Sequence, residues 1–271
     1  MTRIALLLFI GLAASAEIRS DDCRIINGQD AKPGEYPYMA SLRRRVSVKP
    51  SNPSGHSCGA SVLTDAWALT AAHCCASVTN ATDFYIYAGS IYLSKGGTNH
   101  TIEKVIMHEL YDKESRWKND ICLVKLSRPF VIKDSIQQIT LPPQDWPIFS
   151  GDKVTITGWG RTKPVESGCI PDTLQKGTNY TALTPEECNK LAMLEMFPGY
   201  LCAVGNSTKQ STWNGDSGGP LVKNGVQVGL TSFGYRPFGG GMPTVYARVT
   251  HYINWIKQKL GPDASKLKFL K

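Results

Sequence analysis

The sequence predicts an all-β protein, on three observations. Short runs of β-branched and aromatic residues recur between stretches rich in Gly, Pro, Asn and Ser: Phe84-Tyr85-Ile86-Tyr87, Lys153-Val154-Thr155-Ile156-Thr157 and Val226-Gln227-Val228-Gly229-Leu230. The clearest helical period is confined to the C-terminal end, with Tyr252, Ile253, Ile256 and Leu260 ahead of Gly261. Removing the N-terminal 24 residues from the 271 leaves 247, enough for one large or two small hydrophobic cores.

Residues 1–16 read as a secretory signal peptide. Arg3 precedes an apolar run from Ile4, which closes on the small residues Ala14-Ser15-Ala16. That run is too short to cross a bilayer as a helix, and no other stretch is longer, so a soluble extracellular protein with no membrane contact is expected. Residues 17–24 read as a short propeptide ending at Arg24.

Behind a signal peptide, eight cysteines predict disulfides. Asn80, Asn99, Asn179 and Asn206 each open an Asn-x-Ser/Thr triplet, an acceptor for glycosylation in a secreted chain. The net charge is +8, and it is unchanged once the two N-terminal segments are removed. Its densest cluster, Arg43-Arg44-Arg45, reads first as a solvated charged loop running on to Pro53, and second as a surface for acidic partners. Nothing in the charge pattern points to nucleic acid.

Chemistry is concentrated in three motifs. Gly215-Asp216-Ser217-Gly218-Gly219-Pro220 puts a hydroxyl in a glycine-rich turn, where backbone N–H groups can face a reacting carbonyl. Ala71-Ala72-His73-Cys74 offers a general base, and Asn119-Asp120-Ile121 a carboxylate among apolar neighbours. A serine hydroxyl is a poor nucleophile at neutral pH and needs such a base within hydrogen-bond reach. Taken singly, each could be an ordinary strand-end histidine, turn aspartate or turn serine. All three together, in the order His73, Asp120, Ser217, resemble the secreted serine proteases of the chymotrypsin/trypsin family.

The resemblance implies two antiparallel six-stranded β-barrels packed together with a C-terminal α-helix, the first over residues 25–131 and the second over 132–271. It implies His73, Asp120 and Ser217 as the catalytic triad and the N–H groups of Gly215 and Ser217 as the oxyanion hole. Arg24-Ile25-Ile26-Asn27-Gly28 resembles the family's activation junction, so cleavage after Arg24 would free an ammonium on Ile25 to pair with Asp216. Ser211, Thr212, Ser232, Phe233, Gly234 and Thr244 fall where the family builds its specificity pocket. Ser211 stands where trypsins carry Asp, and Thr244 replaces a glycine, so medium apolar residues are expected before the scissile bond, not Arg or Lys. Trp213 and Pro237 occupy the two positions of a missing family disulfide.

Two bridges of the family, Cys58–Cys74 and Cys188–Cys202, are implied. Cys75 and Cys122 each follow a triad residue by two positions, which suggests a third bridge and leaves Cys23 with Cys169. The segment matching the trypsin calcium loop, residues 89–101, has no acidic residue, so neither metal nor cofactor is expected. Partners would be protein or peptide substrates, an activating protease and protein inhibitors, with the protein itself a monomer. The alternative is an inactive homologue that binds rather than cuts, for which Trp213, Pro237 and Thr244 speak because each reshapes the pocket.

Overall fold

A computed structural model of the protein describes residues 28–45, 52–161, 170–205, 212, 214–235 and 241–271. Residues 1–16 and 17–24, expected as signal peptide and propeptide, and the Arg24–Ile25 junction lie outside the described residues, as do Cys23, Cys169, Asn206, Ser211, Trp213, Pro237 and the side chain of Asn179.

Fifteen strands and three α-helices are found among the described residues. In chain order they are β1 (Gln29–Asp30), β2 (Met39–Arg44), β3 (His56–Val62), β4 (Trp67–Thr70), α1 (Ala72–Cys75), β5 (Phe84–Ala88), β6 (Thr98–Met107), β7 (Cys122–Leu126) and β8 (Thr140–Leu141). Then come β9 (Lys153–Gly158), β10 (Gln175–Leu183), α2 (Pro185–Ala192), β11 (Tyr200–Gly205), β12 (Pro220–Lys223), β13 (Val226–Gly234), β14 (Thr244–Arg248), α3 (Ile253–Leu260) and β15 (Lys268–Phe269). The three runs singled out in the sequence are β5, β9 and β13, and the C-terminal helical period is α3.

The strands close into two antiparallel barrels. The first has the order β2-β3-β4-β7-β6-β5; the second runs β12-β9-β10-β11-β14-β13 and closes by the β12–β13 pairing. A barrel leaves no open edge to template aggregation, the usual hazard of an all-β protein. β1 crosses over to pair with β10, through Gln29 with Lys176 and Asp30 with Gln175, so the chain's first described residues are tied to the second barrel.

Each barrel has its own interior, and a third core lies between them. Leu42, Val62, Phe84, Ile86 and Val124 fill the first barrel; Val154, Ile156, Tyr180, Leu201 and Tyr246 fill the second. Between them, Leu69, Ile121 and Leu123 of the first barrel meet Leu230 and Ala247 of the second and Ile253, Ile256 and Leu260 of α3. Burial of each such side chain stabilises by about 1.5–3 kcal/mol, so α3 holds the two barrels in one arrangement. That arrangement positions everything described below.

The arginine cluster differs from its first sequence reading. Arg43 and Arg44 are the last residues of β2, not a solvated loop, and Arg43 is only 4% exposed. Its guanidinium lies 3.6 Å from the centre of the Tyr87 ring. The flat cation packs on the aromatic face while its stem fills space like an apolar side chain. A run of three like charges gives no hint that one of them is turned inward.

Candidate active site

His73 sits in α1, a single helical turn of four residues clamped from both sides. Cys74 bridges to Cys58 of β3, and Cys75 bridges to Cys122, the first residue of β7. The third bridge among the described residues, Cys188–Cys202, joins α2 to β11. Asp120 precedes β7 by two residues, so the Cys75–Cys122 link brings the histidine and the carboxylate face to face.

The Asp120 carboxylate is almost fully buried and both of its oxygens are used. Oδ1 accepts the His73 backbone N–H at 2.8 Å, and Oδ2 accepts the ring Nδ1–H at 2.7 Å. Oδ2 also accepts the Ser232 hydroxyl at 2.5 Å. A carboxylate can only accept, so in the neutral ring the proton stays on Nδ1 and the Nε2 lone pair is left to take a proton from elsewhere. Burying a charge of this kind is costly unless its lone pairs are satisfied, and here three donors converge on it.

Ser217 lies in the turn before β12. Its backbone carbonyl accepts the N–H of Gly59 at 2.8 Å, which joins the turn to β3 of the first barrel. Gly218 follows with φ +74° and its N–H bonded to the Thr231 carbonyl at 2.7 Å. A side chain there would meet Thr70 Oγ1 at 2.1 Å, so the turn requires glycine both for its backbone and for the close approach of the barrels. Ser217 shares a cavity of about 200 Å³ with Thr212, Asn214, Thr231, Ser232, Phe233 and Gly234. None of those six neighbours carries a charge. Thr212 Oγ1 lies 3.1 Å from Thr244 Oγ1, which ties Thr244 of β14 to a residue of the cavity wall.

Asp216 is buried, with Oδ1 accepting the Gly160 N–H at 2.8 Å. A Cβ on Gly160 would lie 2.2 Å from the carboxylate, so glycine is what lets the two segments meet. His56 supports the same loop from the other side. Its Nε2 lies 2.9 Å from the Gly215 carbonyl oxygen, and Nδ1 lies 2.7 Å from Ser41 Oγ. A carbonyl accepts only, so Nε2 carries the proton and Nδ1 takes one from the serine. The ring is fully enclosed, and burial lowers its pKa to about 4, with the positive Arg43 adding to the shift and the Gly215 bond opposing it.

A matching family model and several relatives fix what this geometry belongs to. The family model described as Trypsin matches residues 25–256. The chain belongs to the trypsin family. It is 33% identical to Chymotrypsin-2 of Vespa crabro over 86% of this chain and 99% of that protein. With Trypsin 5G1 of Aedes aegypti the identity is 32%, over 88% of this chain and 85% of that protein. With Transmembrane protease serine 11C of Mus musculus it is 34% over 88% of this chain, which spans 54% of that longer protein. Among solved structures, neuropsin, a serine protease expressed in the limbic system of mouse brain, superposes with a TM-score of 0.75 at 27% identity, covering 86% of this chain and 99% of that one. Human heparin binding protein shares the fold, with a TM-score of 0.73 at 23% identity over 86% of this chain and 96% of that one. The trypsin family and the relatives matched nearly end to end make this chain a serine-type endopeptidase, and they lend no support to the inactive alternative. No helix among the described residues is long and apolar enough to cross a membrane.

Several residues expected at this trypsin-family site come together: His73 with Asp120, and Ser217 with Thr212, Ser232, Phe233 and Gly234 around one cavity. Ser232, expected only as pocket wall, also spends its hydroxyl on Asp120. Three contributors carried no sequence signal. His56 braces the Gly215 carbonyl, and Ser41 holds His56 in turn. Trp117, at φ +56°, stacks on Phe233 with ring centres 5.3 Å apart and covers one face of that cavity residue. A positive φ is costly for a bulky side chain, and the Tyr200 hydroxyl helps hold the loop by donating to the Arg116 carbonyl at 2.7 Å.

Proposed function

We propose that the protein is a secreted endopeptidase that cuts after medium-sized apolar residues, using Ser217 as nucleophile, His73 as general base and acid, and Asp120 as the group that orients His73. The observation that carries the reading is the convergence of three donors on Asp120, one of them from Ser232, which lines the same cavity as Ser217. Nε2 of His73 takes the Ser217 proton as Oγ attacks the scissile carbonyl carbon. The Gly215 and Ser217 N–H groups receive the negative oxygen, and Nε2 then returns the proton to the departing amine. Water, deprotonated by the same nitrogen, hydrolyses the acyl-enzyme and regenerates Ser217.

The uncharged walls of the cavity speak against a cationic residue before the scissile bond. A buried Arg or Lys side chain would find no partner carboxylate among its described lining residues. Cleavage after Arg24 is the proposed activation step, with the new Ile25 ammonium reaching Asp216, which already stands buried against Gly160. Asn80 and Asn99 are exposed, as glycosylation requires. The test is a peptide panel that varies the residue before the scissile bond, run on the cleaved protein and on its Ser217→Ala variant. Leu and Met peptides are expected to be cut fastest, and the variant to lose many thousand-fold in turnover. A profile led by Arg or Lys would overturn the specificity, and near-normal turnover by the variant would overturn the mechanism.

A further inference from the structure

The backbone that leads into Asp120 is held in an unfavourable shape. Six residues other than glycine have a positive φ among the described residues, and three of them, Arg116 (+59°), Trp117 (+56°) and Asn119 (+57°), fall in the four positions before Asp120. Left-handed backbone is costly for L-residues, though asparagine bears it better than most, so such a segment persists only where its surroundings hold it. Asn119 is held by its own side chain. Nδ2 donates to the Leu110 carbonyl at 2.7 Å, and Oδ1 accepts the Tyr252 hydroxyl at 3.1 Å. A carbonyl accepts only, so the amide nitrogen must face Leu110 and the amide oxygen Tyr252. The Asn119 carbonyl in turn accepts the Ile121 N–H at 2.8 Å, which closes a tight turn with Asp120 at its centre.

Both partners of Asn119 are anchored at α3. Tyr252 immediately precedes the helix and is buried in the core between the barrels, together with Ile121. Its ring meets His108 edge-on with centres 5.5 Å apart, and burial raises its pKa, so the hydroxyl keeps its proton and donates. The loop that carries Leu110 is fastened to the same helix by Glu109, which accepts the Trp255 Nε1–H at 2.9 Å and pairs with Lys259. An asparagine that served only its own turn would have no use for a partner 133 positions away. This one ties the C-terminal helix to the residue before Asp120.

We propose that Asn119 and Tyr252 are positioning residues for the reaction: Tyr252 holds the Asn119 side chain, Asn119 holds the turn at Asp120, and Asp120 is thereby presented to His73. The inference rests on the triad reading, and neither residue lines the Ser217 cavity. Tyr252→Phe removes the hydroxyl and keeps the ring in the core. Asn119→Gly keeps the left-handed backbone and removes the side chain. Each variant is assayed as the cleaved full chain on a Leu peptide, with rates expressed per active site counted by exhaustive fluorophosphonate labelling, so that unfolded protein does not enter the rate. In Tyr252→Phe kcat should fall by about 2–10-fold, the range for one neutral hydrogen bond, and in Asn119→Gly by about 4–100-fold, the product of two. KM should stay unchanged in both, because the cavity is untouched. The double variant should be no slower than Asn119→Gly, since the Tyr252 hydroxyl acts only through that side chain. Wild-type turnover per site in Tyr252→Phe, a raised KM that carries the loss, or a double variant slower than Asn119→Gly would overturn the proposal. No adduct on Ser217 in the cleaved wild type would instead overturn the triad reading, and this proposal with it.

Discussion

The Ser232 hydroxyl donates to Asp120 Oδ2 across 2.5 Å, and this one bond joins a strand of the second barrel to the buried carboxylate of the first. It gives Asp120 a third donor and fixes the carboxylate plane that in turn fixes the His73 ring. Ser232→Ala removes that donor and leaves both His73 bonds in place. Activity should fall without vanishing, by about 10–100-fold in kcat/KM, the range for one hydrogen bond to a charged group. Steady-state kinetics on a Leu peptide check this; an unchanged kcat/KM would show that His73 alone orients the carboxylate.

His56 makes stability pH-dependent. Its folded-state pKa of about 4 lies below the ordinary value of 6.5, so the unfolded chain takes up this proton first. The neutral ring's contribution is therefore fully present above the ordinary value and is lost as pH falls toward 4. A shift of this size corresponds to roughly 3 kcal/mol across the window. Urea unfolding between about pH 7 and pH 4 should show a falling midpoint, and His56→Gln should flatten that fall. Carboxylates with lowered pKa, such as Glu109 at about 2, lose their contribution mainly below this window. The same pH slope in both proteins would mean the ring does not stay neutral.

The Cys75–Cys122 bridge closes a loop of 47 residues and holds the His73 segment against Asp120. Replacing both cysteines by alanine should lower stability by about 4 kcal/mol through the freed unfolded chain. Chemical denaturation measures it directly. A loss under about 1 kcal/mol would mean that the barrel alone fixes the distance between the two segments, on the chain-entropy account of disulfides.

Much of this was legible in the sequence, and what was not has a common cause. Strands β5, β9 and β13 and helix α3 announce themselves because their signals are local runs and periods. Helix α2 had a signal too, the capping box of Thr184 and Glu187 with Pro185 between them. The pairing of His73 with Asp120 was readable from the order of motifs. The Ser232–Asp120 bond spans 112 positions and the His56–Gly215 bond 159, and no spacing rule reaches across two barrels. Arg43 misleads for a different reason. A cation buried over Tyr87 and a cation in solvent look alike in a sequence, because the ring that receives it arrives from another strand.

We propose Ser217 as the nucleophile, activated through His73 once the chain is cut after Arg24. Fluorophosphonate labelling of the cleaved, folded protein tests it most directly, since the reagent reacts with an activated serine and marks where it sits. One covalent adduct per chain is expected, mapped by mass spectrometry to Ser217, with labelling much slower in uncleaved Arg24→Gln and absent in His73→Ala. No adduct on Ser217 in protein shown to be folded and cleaved would contradict it.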